Sequence, residues 1–297
     1  MTTLKLFHHY SLVTSTTLAH SPDALGTIQF AVPSMAFTEP LLMHSMLAVA
    51  SMHMHTLLNP IGISDEDYLG LSQRHRNQAL SLTRNSLSPD TILLVMGHLM
   101  IYRFAEAFCT TNGPPAIFTL IATVRSALPN FDYVFREEQL LPLNWPHRTL
   151  DQLEEHIKSS PTHIPFPSLL HQIHLPSSAF PDPEEVSTPE TSEVYHMAVE
   201  YLRYTWYMCQ DPNASLGGAM SWLVRMSDDF YGFLTERRPR AMVILYHYCL
   251  ILSQLKHYWW ASGKDSLSWI AMMLDAQWME CILNPIGAGG IDASGYS

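Results

Sequence analysis

The chain has 297 residues, of which 47% are hydrophobic and only 14% are charged, and its formal net charge is −11. This length and composition are typical of a globular protein with a large core, and the acidic balance argues against a nucleic-acid-binding surface, which needs clustered Lys and Arg. The four cysteines include no C-x-x-C pair, so a structural zinc site of ordinary spacing is not expected. Four unpaired thiols favour a reducing, intracellular setting, either cytoplasmic or nuclear.

Helix signals run along the whole chain, and no strand alternation interrupts them. No secretory signal is visible, and the longest apolar runs, near 92–102 and 241–252, are shorter than the roughly 20 residues that a membrane span needs. An irregular link containing Gly26 and Pro33 is predicted after the first helix. The predicted helices are about 4–19, 40–58, 64–86 (opened by a Ser64-x-x-Asp67 capping box), 89–108 (capped by Ser88), 116–128, 190–210, 215–235, 239–261 and 266–283.

Residues 142–189 contain nine of the twenty prolines. Proline fixes its own backbone torsion and disfavours helix in the preceding residue, so this segment is predicted to be a loop or linker with at most short helices. The resulting prediction is an all-α, single-domain helical bundle of about nine helices with an internal apolar pocket. The domain is expected to cover residues 1–286, followed by a flexible tail at 287–297.

Two blocks of sequence resemble one known family. The first runs from Val32 to His53 and contains a proline-led segment, a helix start and a small-residue helix ending in a histidine. The second begins at Arg238-Pro239, continues through Tyr246-His247-Tyr248 and includes Trp259-Trp260. Together they resemble the C-terminal regulatory, ligand-binding domain of fungal binuclear zinc-cluster transcription factors of the sterol-uptake-control type. The resemblance implies an all-α domain that binds a sterol or another signal, whereas the six clustered cysteines of the DNA-binding module are absent from these 297 residues.

Four polar residues are candidates for chemistry on apolar helices. His98, Tyr102 and Glu106 recur every four residues and therefore lie on one face of the helix predicted at 89–108. They are either the catalytic wall of a pocket or a stripe that pairs with neighbouring helices. His247 lies in a helix with no polar side, where burial would keep the ring neutral and suited to act as a base. A core histidine bonded to a backbone carbonyl is the structural alternative.

Further candidates would contact a ligand rather than react with it. Broad aromatic side chains can form the walls of an apolar cavity or simply fill a core, and a face of small residues can admit either a ligand or another helix. The candidate ligand-binding residues are His44, Ser51, His55, Trp206, Tyr207, Trp259 and Trp260. No metal site and no cofactor are predicted, because H-E-x-x-H, Walker A, G-x-G-x-x-G and G-x-S-x-G motifs are all absent.

One basic cluster stands out in an otherwise acidic chain. Arg237, Arg238 and Arg240 open the apolar helix at 239–261. They could hold an anion, or they could form an exposed cluster that contacts nearby carboxylates. The second interpretation is favoured, because a helix N-terminus suits acids better than bases.

Two functions from different classes fit these features. The first is a cofactor-independent enzyme of fungal secondary metabolism that cyclises or isomerises a bulky terpenoid or polyketide, possible because positioning alone can supply much of the rate enhancement. The second is a non-catalytic regulatory protein that binds a sterol-like or other hydrophobic metabolite. Both predict a hydrophobic small molecule as partner, with no nucleic acid and no membrane span, and both leave a homodimer open.

Overall fold

The computed structural model describes residues 2–18, 25–58, 66–82, 88–109, 117–118, 120–122, 150–159, 163–178, 180–210, 216–255, 258–260 and 264–283. Every regular element in these ranges is helical, which confirms the all-α prediction. The α-helices in chain order are α1 (Thr2–His9), α2 (Val32–Ala36), α3 (Pro40–Leu58), α4 (Tyr68–Ser81), α5 (Pro89–Cys109), α6 (Leu150–Lys158), α7 (Pro189–Met208), α8 (Leu216–Arg225), α9 (Asp228–Thr235), α10 (Pro239–Gln254), α11 (Lys264–Met273) and α12 (Ala276–Leu283).

The N-terminal helix is as long as predicted, but the link that follows it is helical. After α1 the chain continues as a π-helix over Tyr10–Thr14 and a 3-10 turn over Ser15–Thr17. The expected irregular link instead forms a π-helix over Thr27–Ala31 that leads directly into α2. Pro33 is tolerated there because it occupies the first turn of α2, where a backbone N–H needs no partner within the helix.

Side-chain caps decide several helix ends. The predicted cap at Ser88 is confirmed, since its hydroxyl accepts a hydrogen bond from the Thr91 backbone N–H at 3.1 Å. The start predicted at Ser64 is wrong: the residue that caps α4 is Asp67, whose carboxylate accepts from the Gly70 N–H at 2.7 Å. Ser64 itself and most of the helix predicted at 116–128 lie outside the described residues.

Two predicted helices are each split in two, so the described residues hold more helices than the nine expected. The span 215–235 divides into α8 and α9 because Ser227 leaves the helical conformation and caps α9 through the Phe230 N–H. The span 266–283 divides at Asp275, whose carboxylate accepts from the Trp278 N–H at 3.0 Å. Such short polar side chains compete with the helix for backbone N–H groups, which makes them strong helix starts.

Helix α3 is buried on nearly all sides and organises the N-terminal half. It packs against α1, α4 and α5, and its most extensive interface is with α4. By length and composition alone, this 19-residue helix is apolar enough to cross a membrane. However, 67% of its apolar stretch is buried inside the protein, as in the core helix of a globular domain.

Helix α10 has the same role in the C-terminal half. Its residues from Arg240 to Leu252 are almost all buried, as predicted for a helix with no polar face. Cys249 is 0% exposed and packs as a small hydrophobic residue. Tyr248 stacks on Trp222 of α8 at 4.6 Å between ring centroids and donates a hydrogen bond to the Ala219 carbonyl. This helix therefore positions α7, α8, α11 and α12 around it.

Where the structure describes it, the proline-rich segment consists of the short helix α6 and of irregular chain that packs against other helices. We refer to residues 163–178 and 180–186 as the strap, which contains only short 3-10 turns and lies across α7, α10 and α12. Several of its apolar side chains face inward, and Leu170 and Ile173 are both 0% exposed.

Arg240 of α10 holds the strap in place. Its guanidinium donates to the backbone carbonyls of Ile173 and Asp182 and to the Glu185 carboxylate, the last at 3.3 Å. The same group lies over the rings of Phe180 and Trp278, at 4.9 and 5.4 Å from their centroids. The expectation of an exposed arginine cluster is therefore wrong for Arg240, which is 0% exposed. Arg238 and Arg240 do contact carboxylates, as expected.

Replacing Arg240 with Met should lower the free energy of unfolding by about 3–5 kcal/mol, because Glu185 and two strap carbonyls would lose their buried donor. Urea unfolding followed by tryptophan fluorescence measures this loss. The matched control is Arg238→Met, which removes a guanidinium that is one-third exposed and should cost about 1 kcal/mol or less. Equal losses in the two variants would contradict the buried clamp.

Candidate functional site

His98, the first residue of the polar stripe on α5, forms a buried hydrogen-bonded pair with Tyr10. His98 is 3% exposed; its Nδ1 lies 2.6 Å from the Leu94 carbonyl and its Nε2 lies 2.6 Å from the Tyr10 hydroxyl. The carbonyl can only accept, so Nδ1 carries the proton and Nε2 accepts from Tyr10. Burial lowers the pKa of His98 to about 4, and the ring is neutral at pH 7. Both nitrogen atoms are occupied by protein groups.

The rest of the stripe forms an ion-pair network. The Tyr102 hydroxyl donates to Glu106 Oε1 at 3.1 Å, and Glu106 also pairs with Arg76 of α4 at 2.9 Å and with Arg103 at 2.5 Å. The Arg76 guanidinium lies 5.5 Å from the centre of the Tyr102 ring. Burial is the main reason that the pKa of Tyr102 rises to about 12. The stripe thus pairs with neighbouring helices, and a catalytic role for it stays a prediction.

His247 differs from the stripe because one of its ring nitrogens has no partner. Nδ1 donates to the Val243 carbonyl at 2.8 Å, which is the bond expected for a core histidine. Nε2 is buried and makes no hydrogen bond to any residue that the structure describes. Burial lowers the pKa of His247 to about 4. The ring is neutral, and its free nitrogen can only accept a hydrogen bond.

The small-residue face of α3 packs against α4. His44 Nδ1 lies 2.9 Å from Nδ1 of His75 on α4, so one ring donates to the other. Ser51 is 0% exposed and donates to the Leu47 carbonyl of its own helix. His55, nearer the end of α3, is half-buried, and burial lowers its pKa. The ligand-binding role proposed for these residues remains a prediction, since α4 occupies the His44 position.

Trp206 and Tyr207 lie at the end of α7, beneath the strap. The Trp206 indole N–H donates to the Ile164 carbonyl at 2.9 Å, and its ring meets Phe166 edge-on. The Tyr207 hydroxyl donates to Glu154 of α6 at 3.1 Å. The strap therefore covers the part of the chain where an aromatic pocket wall was predicted.

Trp259 and Trp260 connect the two halves of the core. Trp259 stacks on His53 of α3 at 4.5 Å, with the rings 13° from parallel, and its N–H donates to the Thr17 hydroxyl at 3.0 Å. Trp260 is 0% exposed and packs edge-on against Phe104 of α5. Its indole N–H is buried without a hydrogen-bond partner among the described residues. Both tryptophans thus have packing roles.

The structure also reveals buried polar residues that were not selected from the sequence. Tyr10 closes the His98 pair, and Thr14, one turn later, lies 3.0 Å from Nδ1 of His53. Burial lowers the pKa of His53 to about 3. The four-residue spacing of Tyr10 and Thr14 is a signal in the sequence, but their partners are 88 and 39 residues away, so no local pattern could pair them.

The candidate residues do not form a single constellation. Tyr102 and Glu106 bond to each other, whereas His98, His247 and Trp206 each have separate partners. Among the described residues, no group of three or more His, Cys, Asp or Glu side chains could hold a metal ion. In the part of the chain that the structure describes, the polar groups available in this core are therefore neutral histidines, tyrosine hydroxyls and the unpaired Nε2 of His247 on α10.

Known proteins resemble this chain over much of its length. Residues 5–113 match the family model described as "Fungal specific transcription factor domain". A Zn(2)-C6 fungal-type transcription factor of Gibberella zeae is 25% identical over 283 residues, covering 88% of this chain and 55% of that protein. The Zn(2)-C6 fungal-type transcription factor afumD of Aspergillus fumigatus is 25% identical over 267 residues, covering 82% of this chain and 66% of its own length.

The structure is all-helical where it is described, and the chain is similar to fungal transcription factors over most of its length. The chain carries a fungal transcription-factor-like domain, as the resemblance of its two sequence blocks implies. It spans 55% and 66% of the length of these two relatives.

The buried neutral histidines predict acid lability. In the unfolded chain the pKa of a histidine is about 6.5, whereas it is about 4 for His98 and His247 and about 3 for His53 in the folded protein. Between these values the unfolded state binds more protons, so stability falls as the pH decreases from about 6.5 to 4. Each ring should contribute a slope of about 1.4 kcal/mol per pH unit in that window.

Urea unfolding at half-unit pH steps measures this slope, and His98→Gln tests its origin. Because the variant lacks one titrating ring, the slope of its unfolding free energy against pH should be smaller by about 1.4 kcal/mol per pH unit. Its loss of stability at pH 7.5, where the ring is neutral in both states, reports only the altered hydrogen bonds. A slope that is the same in the wild type and the variant would show that His98 does not contribute.

Proposed function

We propose that this chain is the effector domain of a fungal transcription regulator, which binds a hydrophobic metabolite and responds through a protein–protein contact. The observation that carries this proposal is the likeness to two fungal transcription factors over 283 and 267 residues. An alignment of that length takes in both halves of the helical core, so the likeness extends beyond one motif. A nuclear or other intracellular location follows from this role.

The polar groups of the core support a binding role over a catalytic one. A general acid or base must reach the proton that it transfers, with heavy atoms about 2.6–3.2 Å apart. His98 has both nitrogens engaged by Tyr10 and Leu94, and Glu106 is held by two arginines. Such pairs stabilise the core without offering a free reactive atom.

A cofactor-free cyclase or isomerase is the second candidate, and His247 is the observation that favours it. The ring is neutral and fully buried, and Nε2 is an open acceptor. A base of this kind could take a proton from a terpenoid or polyketide held against α10. Of the four predicted catalytic residues, His247 alone combines burial with a nitrogen that has no partner among the described residues.

The regulatory proposal predicts that residues 1–297, fused to an unrelated DNA-binding domain, change the output of a reporter gene several-fold in a fungal host. Reporter expression relative to the DNA-binding domain alone is the measurement. The response should require the folded domain, so Arg240→Met should abolish it and Arg238→Met should retain it at equal protein abundance. A fusion with the same output as the isolated DNA-binding domain would contradict the proposal.

The two functions are distinguished by turnover. Purified protein incubated with bulky terpenoid or polyketide intermediates should return them unchanged in liquid chromatography and mass spectrometry if it only binds them. The enzyme hypothesis predicts a new isomer, whose rate of formation falls by about 10²-fold or more in His247→Phe, the effect typical of losing a general base. His156→Gln, which removes an exposed histidine of α6, serves as the control and should leave the rate unchanged.

A further inference from the structure

We propose that His247 Nε2 accepts a hydrogen bond from the hydroxyl group of a bound, mostly apolar molecule. This inference rests on the proposed function, because it names the polar contact by which the effector domain would recognise its ligand. It concerns a single atom on α10, and neither the family model nor the relatives assign that atom a role.

Unpaired buried nitrogens are few among the described residues, and most have a simple explanation. The side chains of His9, His174 and Arg203 each contain a buried nitrogen without a partner, but these residues are partly exposed. His247 and Trp260 are different, since they are 1% and 0% exposed. The large majority of buried side-chain polar atoms in proteins are hydrogen-bonded, so these two unpaired atoms call for an explanation.

The chemistry of the missing partner of His247 is fixed by its tautomer. The Val243 carbonyl accepts the Nδ1 proton, which leaves a lone pair on Nε2. Because the ring stays neutral, Nε2 can only accept. The complementary group must donate a hydrogen bond, as a hydroxyl does and as an ether or ketone does not.

The surroundings of the ring determine the rest of the ligand. His247 is flanked on α10 by Val243, Ile244 and Ile251, which are all buried aliphatic residues. It follows Arg240 by seven residues and thus lies two turns further along the same face. The strap is bound at the Arg240 end of that face. A largely apolar molecule with one hydroxyl fits such a position, whereas a charged ligand would lose its hydration without a countercharge.

Two small probes of nearly equal shape test the hydrogen bond. 1-Naphthol can donate a hydrogen bond, and 1-methoxynaphthalene can only accept one. Both can accept from the Trp260 N–H, so this second unpaired group does not bias the comparison. The wild-type protein should bind 1-naphthol at least about tenfold more tightly, because the ether leaves Nε2 unpaired. Isothermal titration calorimetry gives both affinities.

The variant His247→Phe keeps a ring at this position and removes the acceptor. It should bind the two probes with equal affinity, while His156→Gln, on the exposed surface of α6, should keep the tenfold preference. If His247→Phe does not fold, the nitrogen-15 resonance of His247 Nε2 in the wild-type protein replaces it. That resonance should shift with 1-naphthol and not with 1-methoxynaphthalene.

Three results would overturn the inference. They are equal affinities in the wild type, a preference that survives in folded His247→Phe, and no binding of either probe. These three results concern only the His247 contact and leave the outcome of the reporter assay unaffected. If the fusion has no effect on the reporter but the protein clearly prefers 1-naphthol, the regulatory role is rejected and the binding site at His247 is retained.

Discussion

The contact between His53 and Trp259 joins the two halves of this protein. His53 belongs to α3 and Trp259 follows α10, so 206 residues separate two rings that stack at 4.5 Å. Both lie within the two sequence blocks that resemble the fungal regulatory domain. In this chain the contact brings the two blocks together in space.

A buried charge dictates the arrangement of the C-terminal half. An arginine without water is costly unless its donors are satisfied, and Arg240 meets that requirement only when the strap supplies two carbonyls and Glu185. The proline-rich segment suits this task because its backbone groups are not used within helices or strands. The strap in turn covers Trp206, so the same ion pair that orders the segment also encloses part of the core.

The polar groups of the core fall into two kinds with different consequences. His98, Glu106 and His44 are satisfied by partners on other elements, and they add specificity to the packing of α3, α4 and α5. His247 bonds only to its own helix through Nδ1 and has Nε2 open. Satisfied pairs hold a fold together, whereas an open acceptor in an apolar setting is a point at which a ligand can be recognised.

Local sequence patterns predicted the helical class, the apolar character of α10, the limits of α3 and the similarity to fungal transcription factors. These properties depend on local composition, on proline and capping residues, and on periodicity, all of which act over a few neighbouring residues. Tertiary structure alone decided that Tyr10 pairs with His98, that Arg240 is buried under the strap, and that His247 has a free nitrogen. Tyr10 and Arg240 bond to groups 55 to 88 residues away, and a hydrogen-bond partner at that distance leaves no periodic signal in the sequence. The free nitrogen of His247 depends on which side chains the fold places around α10.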